Sequence, residues 1–139
     1  MIQVEAFLPD DYESVMQLWR SCEGIVLRAA DERQAVLSYL ARNPGLSFVA
    51  RENGEVVAAV LAGTDGRRGY LQHLGVASTH RRRGIGRRLV SEVIRELQRQ
   101  GIFKCHLFVV EGNVQATYFW QSLGWQPRSD LLMFSFGAG

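Results

Sequence analysis

Five arginines and two glycines fall within the ten residues THRRRGIGRR, positions 79–88. Arginine offers a fixed fork of donors to an anion. A residue without Cβ lets that anion reach main-chain N–H groups. The placement of the run decides its meaning. Residues 70–76 before it read as a strand, and after it Ile85, Leu89, Val90, Val93, Ile94 and Leu97 recur at helical spacing. A helix start exposes unpaired N–H groups and the positive end of the dipole, so it attracts anions. The run therefore reads as a loop shaped for one pyrophosphate. A solvated basic flank gives no reason for two glycines in a first helical turn. A nucleic-acid surface normally interleaves aromatics, and none lies between Tyr70 and Phe103. Residues 84–89 are GIGRRL, which is not the GxGxxG dinucleotide fingerprint.

The elements that must hold this loop can be read on both sides of it. A strand is expected over residues 2–7 and a helix from Tyr12, carrying Val15, Met16, Leu18 and Trp19, with Asp10 or Asp11 as N-cap. A second helix over 31–42 stops at Asn43-Pro44-Gly45. Asn53-Gly54 is a hairpin signal between a strand from Leu46 and the apolar run 56–62. Strand 70–77, helix 84–100, strand 105–110, helix 113–123 and a last strand over 130–136 complete the order β-α-α-β-β-β-α-β-α-β. This is the order of one α/β domain over 1–139, a mixed and mostly antiparallel sheet flanked by about four helices.

Length and composition agree with a single soluble domain: 139 residues, 47% apolar and 22% charged. Acids at Glu5, Asp10, Asp11 and Glu13 argue against a signal peptide, and no apolar run reaches the roughly 20 residues of a membrane span. Cys22 and Cys105 lack CxxC spacing and read as reduced, packed thiols of a cytoplasmic protein; His73, His80 and His106 lack metal-ligand spacing, so no metal is expected. The charge is uneven. Residues 67–104 hold ten Arg and Lys against two acids, a balance of +8, whereas 1–66 balance at −5. That suits an anionic ligand in the middle and a cationic one elsewhere.

LGVASTHRRRGIGRRL (74–89) resembles the acyl-CoA signature of the GNAT superfamily of N-acetyltransferases, a strand ending Leu-x-Val followed by R/Q-x-x-G-x-G/A at a helix start. NVQATYFWQSLGW (113–125) resembles the family's later helix, and FVARENGEVVAAVLAGTDGRRGYLQHLGV (48–76) is similar to small bacterial acetyltransferases of the YpeA type. The resemblance implies acetyl-CoA as cosubstrate and transfer to a primary amine by direct attack on the thioester. It implies that Arg81, Arg82, Arg83, Gly84, Ile85, Gly86 and Arg87 form the pyrophosphate loop. Leu74 and Val76 would offer main-chain groups to pantetheine, with Val76 N–H polarising the carbonyl, and Asn113 would lie near the pantetheine. The acceptor, a small-molecule or peptide amine, would be met by the first two helices and the loop between them. A monomer or homodimer, with no specific nucleic acid and no membrane, is the implied state.

The pattern departs at the acid and the base. The family's tyrosine seven residues past the asparagine is Trp120 here, whose indole N–H is not a useful acid. Tyr118 is the nearby phenol, about 140° round the helix from Asn113. On the strand, period-2 alternation puts Tyr70 and Gln72 on the face of Val76 and turns His73 away as a packing residue. Tyr70 and Tyr118 are thus the candidate catalytic residues, with Glu23 and Glu111 reachable only through water. Two other readings follow from the same residues: an acyl-CoA-binding module without catalysis, and a nucleic-acid-binding protein built on the basic segment.

Overall fold

Asn53 and Gly54 adopt φ of 52° and 81°, the left-handed pair that turns a tight hairpin, and they join β2 (Phe48–Glu52) to β3 (Glu55–Thr64). The structure is a computed structural model describing residues 1–137, and the chain divides into two units, 1–108 and Val109 onward. The first unit also holds β1 (Ile2–Ala6), α1 (Tyr12–Arg20), α2 (Arg33–Arg42), β4 (Gly69–Val76), α3 (Ile85–Arg99) and β5 (Cys105–His106). Its sheet runs β1-β2-β3-β4-β5, antiparallel up to β4 and parallel between β4 and β5. The second unit holds α4 (Val114–Ser122).

One side of the sheet is covered by α1 and α2. Val15, Met16 and Trp19 of α1 and Val36 of α2 are fully buried with Val49, Ala59 and Leu61 of the sheet. Ile85, Leu89, Val90, Val93 and Leu97 form the buried stripe of α3, as the periodicity requires. Asp11 occupies the position before α1, but its carboxylate does not cap that helix. It accepts from Leu8 N–H at 2.9 Å and from the Arg51 guanidinium.

Two expected strands change. β5 keeps only two residues of the expected 105–110, and 130–136 forms no strand among the described residues. The apolar residues of LLMFSF supply local propensity, but a strand exists only where a neighbour completes its ladder.

β4 also differs from a regular strand. Its pairing with β3 runs from Ala58↔Val76 to Leu61↔His73, then resumes as Ala62↔Leu71 to Thr64↔Gly69, leaving Gln72 as an extra, bulged residue. The bulge exchanges the faces. Gly69 looks at Leu97 of α3, while Gly75, of the same parity, looks at Trp19 and Cys22 on the α1 side. Gly63, paired with Tyr70, looks at Tyr39 of α2, and Gln72 Nε2 donates to the Tyr39 hydroxyl at 3.3 Å. Tyr70, Gln72 and His73 therefore all face the α1–α2 side, and Leu74 and Val76 face the α3 side. The expectation that Tyr70 and Gln72 share a face with Val76, and that His73 is turned away from them, is corrected by this one inserted residue.

Candidate functional site

Between β4 and α3 the chain makes one turn of 3-10 helix (Ser78–His80) and then the arginine loop. Arg82 and Gly84 both take left-handed backbone, φ 63° and 76°, folding the loop back so that α3 begins at Ile85. No side chain caps this helix, and the first intrahelical bond is Arg88 N–H to Gly84 O at 3.0 Å. The N–H groups of Ile85, Gly86 and Arg87 are thus the free donors of the helix start. Gly86 is buried in the first turn of the helix.

The five arginines divide into two roles. Arg81 Nε donates to Val76 O at 3.1 Å, Arg83 Nη2 to Glu52 Oε2 at 3.3 Å and Arg88 Nη1 to Ile2 O at 3.4 Å. These three fasten the loop to β4, β2 and β1. Arg82 and Arg87 are exposed and have no protein partner, so their guanidinium groups are available to a ligand.

Glu52 is the loop's anchor, and sequence reading missed it because nothing local marks it. His80 Nε2–H donates to its Oε1 at 2.8 Å, Arg83 to its Oε2, and the chain's amino terminus lies 3.7 Å away. The hydrogen bonds from His80, then Arg83, hold its carboxyl below the ordinary 4.5. A carboxyl lowered by folding contributes above its ordinary value, and the contribution is lost as pH falls through the lowered one. Amide exchange of residues 81–84 in wild type is therefore expected to be slower than in E52Q near neutral pH. The difference should shrink progressively as pH falls below the ordinary 4.5 and the carboxylate takes up its proton. A difference that persisted in acid would show that the loop is held some other way.

The open edge of β4 continues the same surface. Ala77 N–H goes to Val57 O at 2.8 Å, so Gly75 and His73 also point their main-chain groups at β3, and Val76 and Leu74 point theirs the other way. β5 pairs only with Gly69 and Tyr70. Among the described residues no strand covers Leu74 and Val76 on that side. Two main-chain donors on a free strand edge therefore lead directly into three on a free helix start.

In the second unit, Asn113 caps α4, its Oδ1 accepting from Ala116 N–H at 3.0 Å. Trp120 packs against Phe119 and Trp125, with ring centroids 5.0 and 4.9 Å away, and Tyr118 is exposed. Tyr70 in the first unit lies 5.9 Å from the His106 ring. Neither phenol has a hydrogen-bond partner. Both cysteines are unpaired, and burial pushes the Cys105 thiol up to about 11, which leaves it inert at neutral pH. Among the described residues no cluster could hold a metal, and no helix is long and apolar enough to cross a membrane.

An α/β unit whose strand β4 has a free edge thus runs into an uncapped, glycine-led helix start. Residues 12–125 match the model of the "Acetyltransferase (GNAT) family". An acetyltransferase of Pectobacterium atrosepticum is 38% identical over 113 residues, covering 81% of this chain and 79% of that one. The chain belongs to the GNAT family of acetyltransferases, and it is an enzyme whose class of activity is acetyl transfer. Solved structures share its fold. An aminoglycoside 6'-N-acetyltransferase of Acinetobacter haemolyticus superposes with TM-score 0.80 at 18% identity over 99% of each chain. A Thermoplasma acidophilum PaiA N-acetyltransferase in complex with coenzyme A gives 0.79 at 17% over 88% of each.

Proposed function

We propose that the protein transfers the acetyl group of acetyl-CoA to a primary amine by direct attack on the thioester. The observation that carries this reading is the run of five unspent main-chain donors, Leu74, Val76, Ile85, Gly86 and Arg87, along one strand edge and helix start. The N–H groups of Ile85, Gly86 and Arg87, with the side chains of Arg82 and Arg87, would hold the pyrophosphate. Arg81 and Arg83 shape that loop from below. Leu74 and Val76 would bind the pantetheine arm, and the Val76 N–H would meet the charge that develops on the thioester oxygen, where a fixed donor is most effective. Asn113, Tyr70 and Tyr118 complete the residues assigned to the reaction.

The arginine run 79–88 needs no nucleic acid to explain it, since three of its five arginines are spent on the protein and two border the helix start. The test is release of CoA thiol from acetyl-CoA in the presence of butylamine, glucosamine, lysine or an alanine-led tripeptide. Turnover with at least one is expected. Binding of acetyl-CoA without turnover of any of them would make the protein an acyl-CoA-binding module. Duplex binding with a steep salt slope and no competition by CoA would favour the nucleic-acid reading.

A further inference from the structure

His73 and Asp31 make a pair that the acetyl-transfer reading does not yet use. His73 Nε2–H donates to Asp31 Oδ1 at 2.9 Å, and the Asp31 side chain is only 9% exposed. The other Asp31 oxygen accepts from Arg28 N–H at 3.0 Å, and its carbonyl accepts from the Tyr12 hydroxyl at 2.6 Å. The carboxylate is thus fixed in the loop before α2. The His73 ring lies against Trp19 of α1, centroids 5.0 Å apart, and its strand partner is Leu61 of β3. The neighbouring Gln72 is engaged by Tyr39 of α2. Among the described residues, Asp31 is the one charged group that meets the ring.

The second ring nitrogen is different. Nδ1 has no hydrogen-bond partner, yet no buried side-chain nitrogen or oxygen among the described residues lacks one. Nδ1 is therefore open to solvent. A histidine with one nitrogen tied to a buried carboxylate and the other open is a proton acceptor fixed in its working tautomer. It stands on the α1–α2 side of β4, and the residue after it is Leu74, the first free-edge donor.

Resting on the acetyl-transfer reading above, we propose that His73 is the base for the acceptor amine and that Asp31 is its positioning residue. Nδ1 takes one proton from the ammonium form of the acceptor. The freed lone pair attacks the thioester carbon, and the C–N bond forms as the C–S bond breaks. The nitrogen sheds its second proton to the departing thiolate, and His73 returns its own to solvent.

H73Q keeps a donor for Asp31 and removes the base. Its kcat/KM is expected to fall about a hundredfold near neutral pH. With butylamine as the acceptor, the gap should close by about tenfold per pH unit as this alkyl amine approaches its own pKa of about 10, where it arrives already deprotonated. Calorimetric affinity for CoA should stay within about twofold of wild type, since His73 touches none of the loop. In the protein alone, ¹⁵N spectra of the histidine rings should show the neutral form of His73 carrying its proton on Nε2, the nitrogen that meets Asp31. A loss equal at all pH values, or a proton on Nδ1, would overturn the assignment while leaving acetyl transfer intact. No thiol release from any amine of the panel would remove the transfer reading and this assignment together.

Discussion

Replacing Gly84 with glutamate is expected to weaken CoA binding about a hundredfold while leaving the fold in place. Gly84 holds φ of 76° directly before α3, and a Cβ there meets nothing within 4 Å, so the change is strained without clashing. Left-handed backbone costs an L-residue about 1–2 kcal/mol. A carboxylate beside a helix N-terminus returns roughly 0.3–1 kcal/mol, so net stability moves little. The ligand meets a harsher change. The new carboxylate occupies the helix start that the pyrophosphate needs and repels it, and a hundredfold loss corresponds to about 2.7 kcal/mol. Pantetheine, which lacks the pyrophosphate, should bind wild type and G84E alike. Calorimetry with both ligands checks the pair, and an unchanged CoA affinity in G84E would put the anion somewhere else.

Trp19→Ala carries the largest expected loss of stability, about 3–5 kcal/mol. Trp19 is wholly buried, stacks edge-on with Phe7 and His73, and donates its indole N–H to Ala59 O at 3.4 Å. It also forms the floor that Gly75 must approach closely, since a Cβ at 75 would come within 2.9 Å of its ring. Removing it opens a cavity under the bulged strand, on a domain whose whole stability is of the order of 5–15 kcal/mol. Phe103→Ala, at a side chain 79% exposed, is expected to change stability by less than about 0.5 kcal/mol. Urea unfolding of the two variants should separate them clearly. A Trp19→Ala loss under about 1 kcal/mol would mean that α1 is not the packing partner of the sheet.

The periodic parts of the fold were legible before any coordinates. The Asn53-Gly54 turn, the α3 stripe and the strand–loop–helix order around Gly84 all depend on local spacing, and local spacing is what a sequence displays. The free helix start at Ile85 follows from the same kind of information. What stayed hidden is set by distant partners. Gln72 looks like any strand residue, and only its pairing with β3 shows that it is inserted and that the faces of Tyr70 and Val76 are opposed. His73 finds Asp31 across 42 residues, and Glu52 finds His80 across 28, with no motif at either end. The expected strand over 130–136 fails for the converse reason, since its residues favour a ladder that no described neighbour supplies.

The division of the arginines also changes how the charge is understood. A balance of +8 over 67–104 suggests a broad attractive surface. The structure spends Arg81, Arg83 and Arg88 on internal acceptors and leaves Arg82 and Arg87 beside the helix start. Recognition of the anion then belongs chiefly to main-chain donors, whose positions are fixed by β4 and α3, with two guanidinium groups at the rim.

Backbone amide spectra recorded through a titration with CoA test this account most directly. The largest shifts are expected at Ile85, Gly86 and Arg87, followed by Leu74 and Val76, with the middle of α2 unmoved. Shifts absent from Gly86 and Val76, and centred elsewhere on the protein, would contradict the assignment of the strand edge and helix start as the acyl-CoA site.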